Sequence, residues 1–377
     1  MIDVIVPVHR GLAATRRCLD SVLAAGSQAP FEAVVVDDAT PEPEIARHLD
    51  RLAAENRITL LRNERNLGFV QSVNRGMALH ADRDVVLLNS DTEVANDWLA
   101  RLARCVHAQA DIGTATPFSN NATICSYPFP GWTAGVPGTL GLATLDRVCA
   151  TANAGKSVDL PTGVGFCLYI RRACLDQVGA FDAERFGRGY GEENDFCLRG
   201  IAAGWRNVLA GDVFVYHEGA VSFAGERSER TNAALETLLT LHPDYPRMVR
   251  EFVTCDPAGP LRHAVDIARI AHGREEAASV LAEHEEEKTH LRVQRDDIEA
   301  LAAERLAANV ELRAALARAE AILSERDAEN AKLRDEIGKL GAGMRHAEKL
   351  AIERMKEIER IHASPMWKVL APFLRKK

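Results

Sequence analysis

The chain has 377 residues and a formal net charge of -8, with 27% charged and 47% hydrophobic residues. That length exceeds one ordinary domain and predicts two or more structural units, while an acidic balance with both signs plentiful excludes the broad basic surface that non-specific nucleic-acid binding requires. The eight cysteines form no C-x-x-C pair and sit mostly among apolar neighbours, which predicts small buried thiols in a reducing cytosol rather than disulfides or a metal knot.

The chain runs at once into the apolar stretch Ile2 to Val8, with no basic leader before it and no apolar run long enough to span a bilayer. Short β-branched runs at 2–8, 33–37, 58–61 and 84–88 alternate with helical patterns at 12–25, 42–55, 69–81 and 96–109. Such alternation predicts parallel βαβ units and an α/β fold. Ligands in these sheets bind beyond the carboxyl ends of the strands, where Pro7, Asp37, Asp38, Asn89 and Asp91 all fall. Residues 117–138 are rich in Pro, Gly, Asn and Thr and predict an irregular excursion over that edge, suited to an acceptor. Strands are predicted again at Val164 to Ile170 and Val213 to His217, around a helix beginning near Glu193, and the globular unit is expected to close near residue 255.

Residues 256–274 read as a helical linker. From 275 to 362 the sequence is rich in Ala, Glu, Leu and Arg and free of proline. Asn309, Leu316, Leu323, Asn330, Ile337, Met344, Ala351 and Ile358 recur every seventh residue, with Leu312, Ala319, Arg326, Leu333, Leu340 and Ala347 between them. This is a heptad pattern, and Asn309 and Asn330 at a positions give up stability while selecting register and a low oligomer number, so a parallel homodimeric coiled coil is expected. Gly338, Gly341 and Gly343 each cost roughly 1 kcal/mol relative to alanine and mark a hinge. The tail 363–377 carries Trp367, Leu370 and Leu374 with four cations and no acid. Peripheral contact with an anionic membrane surface is one reading; the other is a frayed tail or small cap, because Pro372 interrupts a helix.

Elementary chemistry singles out two segments. Asp91, just past an apolar strand, can hold a divalent cation that neutralises a leaving diphosphate. Glu192, Glu193 and Asp195 follow Gly187, Gly189 and Gly191; the glycines suggest close backbone approach to a ligand, and so many neighbouring acids raise at least one pKa toward a general base. The competing reading is an acidic helix start favoured by the macrodipole. Asp37 and Asp38 can accept from a ribose hydroxyl or a base N–H; capping of the loop or helix that follows is the competing reading, and it explains one of the pair but less readily both. Asn66 and Gly68 occupy a turn before a helix, where amides can meet a nucleotide or simply start that helix. Pro7 shapes the floor of the same pocket.

Taken in order, Val4 to Val8, Val34 to Ala39, Asn63 to Phe69, Leu87 to Thr92, Gly179 to Asp182, Gly189 to Arg199 and Val215 to His217 resemble the family 2 glycosyltransferases of the GT-A fold, the rhamnosyltransferase-like enzymes of bacterial surface polysaccharides. The resemblance covers roughly residues 1–255. It implies a Rossmann-like, mostly parallel catalytic domain that moves a hexosyl or deoxyhexosyl group, with inversion, from a nucleoside-diphosphate sugar to a glycan or lipid-linked glycan, at the cytoplasmic face of the membrane. It implies a Mn2+ or Mg2+ cofactor with Asp91 as first ligand and His217 completing the metal or diphosphate site; a hydrogen-bonded core histidine is the alternative for His217. Asn89 stands where the family's DxD pattern has its first aspartate, which removes one anionic ligand. The nucleoside falls to Asp37 or Asp38, the nucleotide-sugar to Asn66, Gly68, Asn89, Gly163 and Glu192, and the ED-x-D-L pattern places the base on Glu193 with Asp195 as the other candidate. Two competing functions are a catalytically weak domain serving as a coiled-coil assembly scaffold and a sugar-1-phosphate nucleotidyltransferase. The latter needs a glycine-rich phosphate loop followed by a lysine, which residues 7–12 do not supply.

Overall fold

The computed structural model describes residues 1–26, 28–187, 189–219 and 227–364. In chain order the elements are β1 (Ile2–Val8), α1 (Leu12–Ala24), β2 (Phe31–Asp37), α2 (Pro43–Ala54), β3 (Thr59–Arg62), α3 (Phe69–Met77), β4 (Asp84–Leu88), β5 (Thr92–Glu93), α4 (Trp98–Val106) and β6 (Ile112–Phe118). They continue with α5 (Leu142–Ala152), β7 (Ser157–Leu160), β8 (Cys167–Ile170), α6 (Arg172–Val178), α7 (Ala183–Phe186), α8 (Glu192–Ala202), β9 (Arg206–Phe214) and β10 (Tyr216–His217). Four helices follow: α9 (Arg227–Leu241), α10 (Tyr245–Cys255), α11 (Gly259–Ile270) and α12 (Arg274–Ala363).

An eight-stranded sheet has the order β3-β2-β1-β4-β8-β6-β9-β7. β3, β2, β1 and β4 are mutually parallel, β8 runs antiparallel between β4 and β6, and β6 pairs parallel with β9. This is a Rossmann-like, mostly parallel mixed sheet. Period-two alternation explains its layers, because successive strand side chains point to opposite faces. Val4, Val6, Val35, Val86 and Leu88 join one core with Leu19 of α1 and Leu49 of α2. Ile5, Val34, Val36, Val85 and Leu87 face the other, with Val73 of α3 and Phe196 of α8. Gly76 lets α3 approach β1 closely, since a Cβ there would lie 2.6 Å from Ile5 Cγ2.

The first four predicted strands and helices appear within a few residues of their expected bounds. α3 and α4 are each shorter than their patterns, and β6 and α5 were not foreseen. β6 is wholly buried and contains Gly113 and Pro117, residues that argue against a strand by composition; pairing with β9 and burial override that preference. The irregular excursion after β6 is present, with one short 3-10 turn at Thr123–Cys125.

The compact unit spans Met1–Thr289, and His290–Lys377 forms a second. The expected close at 255 therefore falls short, and the segment assigned as a linker is part of the globular unit. α11 buries Leu261 and Val265 in the larger core. Arg269, fully buried, donates to Glu276 at 2.5 Å, to Glu283 at 2.6 and 2.8 Å and to the Tyr127 hydroxyl at 2.9 Å. The beginning of α12, expected to be coiled coil, is thus anchored in the first unit. In the second unit α12 runs without a break through Gly338, Gly341 and Gly343, where a hinge was expected, and leaves Leu312, Leu316, Leu323, Leu333, Ile337, Leu340 and Met344 exposed. No described helix is long and apolar enough to cross a membrane. All but the first two residues of the expected membrane-contact tail lie outside the described residues.

Candidate active site

Chain order reverses beside β1: from it the strands proceed outward to β2 and β3 on one side, and β4 lies on the other. Side-by-side parallel strands whose connections depart in opposite directions leave a crevice at their carboxyl ends. Here a cleft of about 270 Å³ is lined by Pro7, Asp38, Asn66, Gly68, Asn89, Asp91, Glu192, Glu193 and His217, among others. Asp37, Gly163 and Asp195, named with these from the sequence, are not in its lining.

The end of the cleft beside β2 is built around Asp38. Its carboxylate accepts from the backbone of Leu67 at 2.7 Å and Gly68 at 2.8 Å and from Asn63 Nδ2 at 2.8 Å, so it fixes the 66–68 turn that forms one wall. Gly68 sits at φ 86°, a left-handed conformation that glycine adopts without a steric penalty. His9, which the sequence reading passed over, also lines the cleft. Its Nδ1 lies 3.0 Å from the Asp38 carbonyl, and Asn66 Nδ2 lies 2.9 Å from its Nε2; a carbonyl only accepts, so the proton is on Nδ1. Asp37 has the other role weighed for it: its carboxylate accepts from Thr40 N at 2.9 Å and from Arg62 Nε at 3.0 Å, tying a loop away from the cleft.

Past β4, the Asn89 carbonyl accepts from the Thr92 hydroxyl at 2.7 Å, closing a turn that presents Ser90 and Asp91. β5 then pairs antiparallel with β10, aligning Thr92 with His217, and Glu218 N donates to the Asp91 carbonyl at 2.9 Å. Arg17 clamps this ribbon through Glu93 at 2.9 Å and through Glu218. The outcome is His217 Nε2 at 3.5 Å from Asp91 Oδ1, with side chains 15% and 12% exposed.

The acidic helix start supplies the opposite chemistry. Gly191, at φ 87°, caps α8, so Glu192 and Glu193 occupy its first turn. Glu193 faces the cleft, packed beside Gly165, whose added Cβ would meet its carboxylate carbon at 3.5 Å. Burial pushes the Glu193 pKa up, and backbone N–H groups of the helix start and of Gly165 partly offset that. Glu192 is 4% exposed, and its Oε2 has no hydrogen-bond partner among the described residues. Burial first, and the neighbouring Glu193 charge second, push its pKa well above the carboxylate range. Asp195 turns elsewhere: it accepts from Arg199 Nε at 2.8 Å and lies 2.8 Å from His242 Nε2, lining a separate hollow with Asp182 and Arg185. Gly163 is packed against Leu168, Thr116 and Cys197, and it is Gly165 that stands beside Glu193.

Residues 3–148 match the family model described as Glycosyl transferase family 2. A curated relative, the uncharacterized protein y4gI of Sinorhizobium fredii (strain NBRC 101917 / NGR234), is 24% identical over 270 residues. The match takes in 69% of this chain and 28% of that protein, so the chain spans about 28% of the length of this curated relative. Among solved structures, the mannosyltransferase PcManGT from Pyrobaculum calidifontis in complex with GDP-Man and Mn2+ is similar at a TM-score of 0.48 and 19% identity, over 75% of this chain and 79% of that one. GalNAc-T7 with UDP, GalNAc and Mn2+ is similar at a TM-score of 0.47 and 17% identity, over 71% and 54% of the two chains. TarS 1-349 of S. aureus is similar at 0.41 and 14%, over 74% and 88%. The family 2 match holds β1 through α4 and with them Pro7, Asp38, Asn66, Gly68, Asn89 and Asp91; Glu192, Glu193 and His217 come from beyond it.

Whether the cleft fits a cation is decided by the donor set that Asp91 and His217 present. His217 Nδ1 lies 2.7 Å from the Asn121 carbonyl, so Nδ1 carries a proton, and in the neutral ring the Nε2 lone pair points at a carboxylate oxygen. With Nε2 unprotonated, these are two acceptors facing one another at 3.5 Å, which fit a shared divalent cation with one oxygen and one nitrogen ligand. Among the described residues one Asp–Glu–His group of three also brings its ligand atoms within 4.8 Å: Asp3, Glu32 and His80. It lies at the amino-terminal end of the sheet, away from the cleft, and Arg83 Nη1 already sits 3.0 Å from Asp3 and 2.6 Å from Glu32. A guanidinium there supplies the positive charge that a metal would bring.

Proposed function

We propose that the cleft transfers a sugar, with inversion, from a nucleoside-diphosphate donor to a hydroxyl of a glycan acceptor. The observation that carries this reading is that Asp91, His217 and Glu193 line one cleft, and the family 2 match over its first wall supports it. Pro7, Asp38, Asn66 and Gly68 form the wall for the nucleoside, and Asn89 and Asp91 the part nearest the diphosphate. Asp91 and His217 would hold a divalent cation, which when bound neutralises charge on the leaving diphosphate.

Glu193 acts on the acceptor. Its carboxylate removes the hydroxyl proton as the acceptor oxygen bonds to the anomeric carbon, and the bond from that carbon to the diphosphate oxygen breaks, its electron pair leaving with the nucleoside diphosphate. A carboxylate in a partly dry site is a stronger base than one in water, which is the use of its raised pKa. Glu192, buried beside it, would enter as a neutral carboxyl able to donate a hydrogen bond to a sugar hydroxyl. α12 supplies the partner surface: its exposed Leu312, Leu316, Leu323, Leu333, Ile337, Leu340, Met344 and Ile358 fall on heptad a and d positions, the seam that a homodimeric coiled coil would bury, while Leu301, Leu306, Ile322, Leu350, Ile352 and Met355 lie beside it.

The test is a hydrolysis and transfer screen across nucleoside-diphosphate sugars, with Mn2+ or with chelator, reading released diphosphate and the anomeric configuration of the product by NMR. Turnover with an inverted product supports the reading. No turnover, together with no thermal shift by any nucleotide, would leave the scaffold function standing instead.

A further inference from the structure

We propose that Asn120 is a positioning residue for the cation-holding pair, its side-chain amide replacing a strand that β10 lacks; this rests on reading Asp91 and His217 as cation ligands. β10 is two residues long, and one edge is taken by β5. A ribbon so short is marginal by itself. On the free edge, His217 N donates to Asn120 Oδ1 at 2.8 Å and Asn120 Nδ2 donates to the His217 carbonyl at 3.0 Å. These are the two bonds that a residue of a neighbouring antiparallel strand would exchange with it. The second Nδ2 hydrogen goes to the Ala134 carbonyl at 2.7 Å, so the amide, 1% exposed, also ties the loop after β6 to the site.

The next residue completes the arrangement. The Asn121 carbonyl accepts from His217 Nδ1 at 2.7 Å, setting the tautomer, and Phe166 stacks on the ring at 5.2 Å with an 18° interplanar angle, setting its plane. Asn120 therefore fixes the backbone from which a ring of defined plane and tautomer aims Nε2 at Asp91. Partners of this kind typically contribute 10–100-fold to metal affinity without touching the metal. An aspartate at 120 would keep the acceptor for His217 N while turning a second oxygen toward two carbonyls.

The experiment titrates the full-length chain with Mn2+ alone, reading free Mn2+ by electron paramagnetic resonance, for wild type, Asn120→Ala, Asn120→Asp, His217→Ala and the Asn120→Ala/His217→Ala double variant. Melting temperatures are taken alongside, and the near-isosteric Asn120→Asp keeps the test decisive where Asn120→Ala does not fold. We expect His217→Ala to weaken Mn2+ binding, each Asn120 variant to weaken it about tenfold or more, and Asn120→Ala to be silent once His217 is absent, because a residue acting through the imidazole has nothing left to position. Wild-type affinity in the Asn120 variants, or an undiminished Asn120→Ala effect in the His217→Ala background, overturns the proposal. No Mn2+ binding by the wild-type chain, or unchanged affinity in His217→Ala, removes the cation reading itself and the proposal with it.

Discussion

Glu192 and Glu193 are adjacent in the first turn of α8 and both line the cleft, but their polar partners differ: several backbone N–H groups, that of Gly165 among them, face Glu193, whereas Glu192 is buried with one oxygen that has no hydrogen-bond partner among the described residues. Both carboxyls have raised pKa values, chiefly from burial. The consequences differ, because the Glu193 charge is needed for the proposed chemistry and the Glu192 charge is only a cost.

Glu193→Gln is expected to lower kcat by about 100-fold to 10,000-fold, the usual contribution of a general base, with nucleotide affinity nearly unchanged. Equal losses in kcat and affinity would place Glu193 in binding. In the wild type, kcat/KM should fall as pH drops through the Glu193 pKa, which burial raises above its ordinary value, since only the ionised form accepts a proton. Asp195→Asn should behave differently. It removes the charge and one of the two oxygens that meet Arg199 and His242 and is expected to lower the melting temperature more than kcat.

For Glu192 the sign follows from linkage. A carboxyl whose pKa is raised on folding binds its proton more tightly in the folded state, so its stabilising contribution is complete below the unfolded value and is lost as pH rises through the folded one. Stability should therefore decline with pH above the ordinary carboxylate range. Glu192→Gln should flatten that decline and raise the melting temperature at pH 8 by about 2–4 °C, the shift that ~1 kcal/mol gives in a domain of this size. Calorimetry at pH 5 and pH 8 reads both slopes; equal slopes in the two proteins would show that Glu192 is not the group responsible.

Replacing Asp91 with alanine should weaken nucleoside-diphosphate binding roughly 10-fold to 100-fold in Mn2+ and leave it nearly unchanged in chelator. Isothermal titration under the two conditions separates the cases. Equal weakening in both would mean that Asp91 meets the nucleotide directly.

Truncation distinguishes the two parts of α12. A chain of residues 1–289 keeps Glu276 and Glu283 on the buried Arg269 and should fold, with light scattering showing a monomer if the second unit carries the dimer contact. A chain ending at residue 273 leaves that guanidinium buried and unpaired, which costs about 3–5 kcal/mol. Its melting temperature should be lower by roughly 10 °C. Equal melting temperatures would deny the Arg269 pairs a structural role.

Local pattern was enough for the first half of the sheet, because β1, β2 and β4 are buried on both faces through most of their length and read as nearly continuous apolar runs, with turn residues marking each carboxyl end. Pro7, Asp38, Asn89 and Asp91 could be placed at one edge for that reason alone. Glycines ahead of three acids likewise marked the start of α8. The long helix was legible from its heptads and its lack of proline, though not the point at which it leaves the globular unit, since the Arg269 pairs with Glu276 and Glu283 join residues whose spacing looks like ordinary surface charge.

Tertiary structure decided what sequence spacing leaves open. Asp37 and Asp38 are neighbours on the chain, and strand direction sends one carboxylate to Arg62 and the other into the cleft wall. Glu193 and Asp195 sit two residues apart on a helix, which rotates their side chains by about 200° at 3.6 residues per turn, so one faces the cleft and the other Arg199 and His242. The pairing of β5 with β10 brings His217 to Asp91, and the side chain of Asn120 holds it there. Sequence alone determined which residue types stand at the ends of which elements, because propensity and burial are local or periodic. Which way each of those side chains turns, and what it meets, depended on contacts between residues from 25 to 97 positions apart and more, and only the folded chain supplies them.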